Sequence, residues 1–279
     1  MNIDKHPTIT VITCTFNSEQ FLEKALRSVE NQTYPQIEHI INDSFSTDST
    51  MRILQDYIDR NSTRYPIKLI HSDPHGVGNA LNIALEHATG EIVHFLHSDD
   101  YYLDNHSLER AANVFIENPD LKWLTGNFLL EWKGRKIVLP QTLILKPNLE
   151  IALSIMNFIS HENTFVKTEA VRSYGGFMET KDEPVEYKLW LRLFKDHSPM
   201  IVNDEFAVFI IHKGSTSTGN IFKLMKAFRR AYRTQNREHI LPLLGYYQDK
   251  RGYKWYKVFV NKIIEFSRKV RLIFLRTLV

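Results

Sequence analysis

The hydrophobic and polar positions of the first hundred residues alternate between two periods. TITVITCTF (8–16) is a short β-rich run, and Ser18 then opens a helical spacing through Phe21, Leu22, Ala25, Leu26 and Val29. IEHIIND (37–43) predicts a second strand, followed by a helix through Met51, Ile53, Leu54 and Ile58, with Ser46 or Thr47 as its N-cap. IKLIHS (67–72) predicts a third strand, and the turn DPHG leads into a helix from Gly78 to His87. EIVHFLH (91–97) predicts a fourth strand. Strand–helix alternation at this spacing requires crossover connections, hence an α/β architecture with a mostly parallel central sheet. Ligands of such sheets bind beyond the carboxyl ends of the strands. The polar residues that the pattern places there are Thr15, Asn17, Asp43, Asp73 and His97 to Asp100.

From about residue 120 the pattern changes. LKWLTGNFLLEW (121–132) and RKIVLP (135–140) read as a hairpin around Lys133-Gly134. NTFVKTEAV (163–171) reads as a strand running into a short helix, and EPVEYKLWLRLF (183–194) as an amphipathic helix with Pro184 in its first turn. IVNDEFAVFIIHKG (201–214) holds two strands around Asn203-Asp204, and 219–239 and 253–278 are helical in pattern. The composition shifts near residue 219, which divides the chain into a domain over 1–218 and a basic helical extension over 219–279.

Charge sharpens that division. Residues 221–279 hold 15 Lys and Arg against three acids, Glu238, Asp249 and Glu265, whereas the rest of the chain carries 20 basic and 29 acidic residues. An acidic body with a strongly basic tail predicts an anionic partner for the tail. KWYKVFVNKIIEFSRKVRLIFLRTLV (254–279) mixes apolar and basic residues as an amphipathic helix on an anionic membrane surface does. A helix packed on the domain with a solvated basic face, or a homo-oligomer contact, fits the same residues. No nucleic-acid-binding motif accompanies the charge, so no nucleic acid partner is expected. The single cysteine, Cys14, excludes an intramolecular disulfide and a cysteine zinc site. Neither a signal peptide nor an uninterrupted apolar run of about 18 residues is visible, so the expected location is cytoplasmic, peripheral on the inner face of the membrane.

The sharpest local feature is FLHSDD (95–100), an apolar strand ending in the adjacent carboxylates Asp99 and Asp100. Hard oxygen donors there suit a divalent cation on a diphosphate, since the phosphates complete the coordination. The dipeptide equally suits a solvated turn, or a cap for the helix that starts near Asn105.

Five segments in order resemble glycosyltransferase family 2, over roughly residues 8–218. TVITCTFN (10–17) is similar to an opening strand that usually ends in Pro-Thr-Tyr-Asn. NDSFSTDST (42–50) resembles Asp-Asp-Gly-Ser-Thr-Asp-Gly-Thr. DPHGVGNALNIALEHATGEIVHFLHSDDYYLDNHSLE (73–109) resembles a long family block that contains the metal strand. YGGF (174–177) with VEYKLWLRL (185–193) resembles the Gly-Gly-Phe and Asp-Tyr-Asp-Leu-Trp-Leu-Arg-Leu pair, and IHKGSTS (211–217) the loop that follows.

The resemblance implies a GT-A fold, a Rossmann-like nucleotide-binding α/β fold. It also implies an inverting transfer from a nucleotide-diphosphate sugar to a glycan or lipid-linked acceptor in surface polysaccharide biosynthesis. Thr15, Phe16 and Asn17 then lie beside the nucleoside. Phe16 replaces the usual tyrosine and keeps a ring for stacking, although core packing is an alternative for it. Asp43 accepts from the base, which favours UDP or GDP, and Asp73 lies near the ribose or base or is a plain turn residue. Asp48 reads as a helix N-terminal acid. Asp99 is the metal ligand for Mn2+ or Mg2+, with His97 and His212 as further candidates. His97 stands where the family has the first Asp of Asp-X-Asp, a departure that removes one charge from the site. Asp100, His161, Lys213, Ser215 and Thr216 face the sugar, acceptor or phosphates. Glu186 is the general base, with Glu183 and Asp182 as alternatives, and its pKa is expected to be raised by the phosphates. The departures at His97 and Glu186 also support a second reading, a catalytically weak or inactive nucleotide- or glycan-binding protein, or a scaffold, on the same fold.

Overall fold

The computed structural model describes residues 6–139, 157, 159–178 and 185–212, together with Leu149 and Leu153. All lie in the first of two compact units, Met1–Gln235. The helical patterns expected over 219–239 and 253–278, and the positions Asp182, Glu183, Lys213, Ser215 and Thr216, lie outside the described residues.

The amino-terminal half runs β1 (Ile9–Thr15), α1 (Leu22–Glu30), β2 (Ile37–Asp43), α2 (Thr50–Asn61), β3 (Ile67–His71), α3 (Val77–Glu86) and β4 (Ile92–Phe95). The four strands are parallel, in the spatial order β4-β1-β2-β3. β1 and β2 are near-continuous hydrophobic runs because both faces of the sheet are covered. Their register puts Thr15 opposite Asp43, and Asp43 opposite His71, so one row of polar side chains closes the carboxyl edge. Both α1 and α2 begin later than the opening residues read from the sequence, Ser18 and Ser46 or Thr47, imply. Ser18 forms a turn whose carbonyl accepts from Phe21 and Leu22 before α1 starts. Asp48, not Ser46 or Thr47, meets the start of α2, its Oδ1 accepting from the Thr50 N–H at 3.0 Å. The hydroxyl of Ser46 is already engaged by Asp43.

The chain continues through β5 (Tyr101–Tyr102), α4 (Ser107–Glu117), β6 (Trp123–Thr125), β7 (Phe128–Trp132), β8 (Arg135–Leu139), a 3₁₀ turn (His161–Asn163), β9 (Thr164–Lys167), α5 (Thr168–Ser173), α6 (Val185–Asp196), β10 (Met200–Ile201) and β11 (Ala207–Ile211). β9 runs antiparallel between β4 and β6, and β10 completes a seven-stranded sheet. The expected hairpin is β7–β8, with Lys133 and Gly134 both left-handed at φ 48° and 75°. A second sheet has the order β5-β11-β7-β8, so the two strands read around Asn203-Asp204 belong to different sheets.

The core is apolar and continuous from Ile9 and Leu26 to Leu124, Phe165 and Phe206. Helix α6 is buried on nearly every side from Tyr187 to Leu193 and is not the half-exposed helix its pattern suggests. Its Trp190 stacks on Trp123 of β6 with ring centroids 5.6 Å apart.

Candidate active site

The carboxyl edge of β1 and β2 forms a shelf. Asp43 is fully buried there, and its Oδ1 accepts from the hydroxyls of Thr15 (2.8 Å) and Ser46 (2.5 Å). Its Oδ2 accepts from the Ser46 N–H at 2.9 Å, with His71 Nδ1 at 3.7 Å. Two residues around this carboxylate adopt the left-handed region. Asn17 (φ 50°) is held by its Oδ1, which accepts from the Thr47 N–H at 2.9 Å. Phe45 (φ 57°) is bulky, and such a conformation costs about 1–3 kcal/mol. That backbone throws its ring outward, 55% exposed, to stack on His71 at 5.7 Å. Phe16 is 56% exposed, so core packing does not account for it. The shelf thus presents two rings at the mouth of the sheet. Phe45 and His71 were not singled out from sequence; a phenylalanine in the segment after β2 and a histidine ending β3 were the available signal.

Asp73 is exposed on the turn after β3. Its carbonyl accepts from the His75 N–H at 2.8 Å.

Past β4 the chain meets the second sheet. β5 pairs antiparallel with β11, Tyr101 opposite Val208, so the residues before β5 face the end of β11. Asp100 Oδ1 accepts from the Ile210 N–H at 2.9 Å, and Asp99 Oδ2 lies 3.0 Å from His212 Nε2. Neither aspartate caps α4; Asp104 accepts from His106 at that helix start. Asp100 is buried, and burial with the carboxylates of Glu162 and Asp99 beside it raises its pKa well above the usual range. Asp99 and His212 are partly exposed. A carboxylate and an imidazole side by side, open to incoming phosphate oxygens, fit Mn2+, whereas Mg2+ would rest on the Asp99 carboxylate and the phosphates.

His97 does not turn to Asp99. Its Nε2 lies 3.7 Å from Glu186 Oε1, and its ring meets that of His161 edge-on at 4.3 Å. The antiparallel β9 causes this meeting, because it brings its amino-terminal end, with His161, beside the carboxyl end of β4. Asn163 fixes that end: its Oδ1 accepts from the Phe206 and Ala207 N–H groups, and its Nδ2 donates to the Ala207 carbonyl.

Glu186 sits in the first turn of α6. The preceding Gly-Gly-Phe segment anchors that region: Arg192 donates to the carbonyls of Tyr174 and Gly176, while Asn82 pairs with both backbone groups of Phe177. The expected raised pKa of Glu186 is not what the protein's own groups produce. Burial pushes it up, but His97 and His161 outweigh burial and hold it at about 2. His97 is correspondingly raised: burial opposes its charge, and the carboxylates of Glu186, Asp99 and Glu162 prevail. His161 is lowered, by burial first and by the charge of His97, against the pull of the same carboxylates.

With this geometry in place, the comparisons are decisive. Residues 10–138 match the family described as Glycosyl transferase family 2. These residues form a family 2 glycosyltransferase domain. An uncharacterized glycosyltransferase of Haemophilus influenzae is 34% identical over 138 residues, 49% of this chain and 53% of its own length. The GalNAc(5)-diNAcBac-PP-undecaprenol beta-1,3-glucosyltransferase of Campylobacter jejuni is 26% identical over 234 residues, 81% of this chain and 70% of its own. The crystal structure of Staphylococcus aureus TarS 1-349 in complex with UDP-GlcNAc superposes with a TM-score of 0.64 at 20% identity, covering 82% of this chain and 67% of that one. The chain spans about half to two thirds of the length of the first curated relatives it matches. The fold of the glycosyltransferase domain is the GT-A fold, as the motifs imply.

Proposed function

We propose that the chain is an inverting glycosyltransferase, moving a sugar from a nucleoside-diphosphate sugar to a hydroxyl of a glycan or lipid-linked acceptor in surface polysaccharide assembly. One observation carries this reading. An ionised carboxylate, Glu186, stands against His97 at the edge of the sheet that also bears Asp99 and the Asp43 shelf. The acceptors named for the C. jejuni relative and the donor bound by TarS support it.

Phe16 and Phe45 offer faces to the base, and Asp43 would accept the ring N–H of a uracil or guanine on Oδ2 when nucleotide binding opens its buried corner. Thr15 and Asn17 shape the edge that meets the nucleoside, with Asp73 on the adjoining turn. Asp99 and His212 would hold Mn2+, or Asp99 would hold Mg2+, either of which neutralises donor diphosphate charge when bound. Lys213 and Ser215 follow directly in sequence and would meet the same phosphates. Asp100 acts from beneath by fixing the Asp99 loop to β11. Glu186 accepts the acceptor's proton, and His161 borders the acceptor. Because Glu186 is so acidic, it is ionised throughout the physiological range, and the proton moves late, as attack on the anomeric carbon acidifies the hydroxyl. The basic segment over 221–279 brings this chemistry to the anionic cytoplasmic face of a membrane.

The test is a donor screen. UDP-, GDP- and dTDP-sugars with Mn2+ or Mg2+ are expected to raise the melting temperature, ligand at 100 Kd contributing about 2.7 kcal/mol. Glu186→Gln is expected to keep that shift and lose about 10²–10⁴ in kcat. Transfer by Glu186→Gln at the parent rate would remove Glu186 from the chemistry. The His97–Glu186 ion pair favours a second reading, a nucleotide-binding scaffold whose base is neutralised; donor binding without turnover in the parent protein would select it.

A further inference from the structure

His97, His161 and Glu186 come from three separate elements, yet their ligand atoms all lie within 4.8 Å of one another. The proposed transfer gives these three side chains no joint task. A second group, Asp100, His161 and Glu162, overlaps the first through His161. Two atoms of these groups are buried and have no hydrogen-bond partner among the described residues, His161 Nε2 and Asp100 Oδ2. Glu162 Oε1 lies 3.0 Å from His161 Nε2 as an ion-pair partner, without a hydrogen bond between them. A buried polar atom left unpaired is costly, and such orphans gather where a ligand belongs.

The donors discriminate between ions. Mg2+ requires near-octahedral oxygen coordination, whereas two imidazoles and a carboxylate supply three ligands of a tetrahedral zinc site with the fourth position open. Bonds of about 2.0–2.1 Å in a tetrahedron put ligand atoms about 3.3 Å apart. The His97–Glu186 separation of 3.7 Å needs only a few tenths of an ångström of closure.

We infer that His97, His161 and Glu186 form a zinc-binding site, separate from the Asp99–His212 pair, and that Zn2+ bound there withdraws Glu186 from proton acceptance. The zinc site stands on geometry alone; its inhibitory consequence rests on Glu186 being the base. Zn2+ therefore competes with the acceptor and leaves the donor shelf open.

The full chain, stripped of metal with a chelator and kept in excess Mg2+, is titrated with Co2+ as a spectroscopic probe. The expected result is a saturable visible d–d band at one Co2+ per chain, displaced by Zn2+, abolished in Glu186→Gln and in His161→Ala, and retained in Asp99→Asn. Circular dichroism verifies the fold of each variant, and Glu186→Gln, at the partly exposed rim, decides the matter if His161→Ala does not fold. A band that survives Glu186→Gln, or that disappears in Asp99→Asn alone, overturns the site. Zn2+ that binds as expected while sugar transfer continues undiminished overturns Glu186 as the base and leaves the zinc site standing. Loss of transfer in Glu186→Gln with no Co2+ band in the parent removes the zinc site and leaves the base.

Discussion

Asp43 holds three donors, the hydroxyls of Thr15 and Ser46 and the Ser46 N–H, inside a fully buried corner of the shelf. Asp43→Asn presents an amide N–H₂ to at least one of those donors. The expected cost is about 1–3 kcal/mol in urea unfolding, with nucleotide affinity falling in the same variant. A stability unchanged from the parent would mean that the corner is wetter than the structure shows. At this scale the sequence was most legible at the strand ends, where the pattern places Asp43 and Asp99, while the family resemblance singles out Glu186, which the structure puts on α6 against His97. It was least legible where backbone conformation decides. Nothing in the hydrophobic pattern announces that Phe45 takes a left-handed conformation and turns its ring onto His71. Partners were also illegible. That His97 faces Glu186 and leaves Asp99 to His212 depends on contacts across 113 residues of sequence in the latter pair.

The strands and their neighbours follow from period and crossover logic over 9–95, because βαβ units leave little freedom in direction or hand. Beyond that, an alternating pattern marks a strand but carries no arrow. The antiparallel run of β9, and the division of β10 and β11 between two sheets, arise from long-range pairing that no local window contains. Helix α6 reads as amphipathic because Lys188 and Arg192 interrupt its apolar positions, yet both are buried. Arg192 spends its charge on the carbonyls of Tyr174 and Gly176 and thereby anchors the Gly-Gly-Phe joint. That joint is testable. At Gly176, φ is +61° and an added Cβ would stand 2.4 Å from Asn82 Oδ1, the atom that accepts from Phe177. Gly134 is also left-handed, at +75°, but nothing lies within 4 Å. Gly134→Ala is expected to cost about 1–2 kcal/mol of stability. Gly176→Ala adds the loss of the Asn82 pair, about 1 kcal/mol more. Thermal melts that rank the two in the opposite order would show that Asn82 moves aside freely.

Two histidines deep in the molecule contribute to its response to acid. His39 lies between Tyr57 and Thr13, and His94 between Tyr102 and the Glu162 carbonyl. Burial lowers both to about 3, against about 6.5 in an unfolded chain. Above pH 6.5 neither form is charged, and these groups leave stability level. Below it the unfolded chain takes up protons that the folded chain refuses, so stability falls from about pH 6.5 towards 3, by up to about 1.4 kcal/mol per unit for each histidine. Urea midpoints measured from pH 7 to 4 are expected to fall accordingly, and His39→Gln to flatten the slope; an unaltered slope would place a proton on His39 in the folded state.

The charge division of the chain is a property of the whole as well. No helix among the described residues is long and apolar enough to cross a membrane. Flotation with anionic vesicles is expected to depend on residues 240–279 and to weaken as salt rises, at about 1 kcal/mol per basic residue near the surface. Equal flotation of chains with and without that segment would dissociate the tail from the membrane.

The long reach from Asp99 to His212 also orders events at the ribosome. The Asp43 shelf is built from strands complete by residue 71, and β4, which pairs with the other edge of β1, is complete by residue 95. The imidazole that faces Asp99 leaves the exit tunnel more than a hundred residues later. The two halves of the site are therefore completed at different stages of synthesis, and the loop that carries Asp99 and Asp100 must wait for β11 to be tied down.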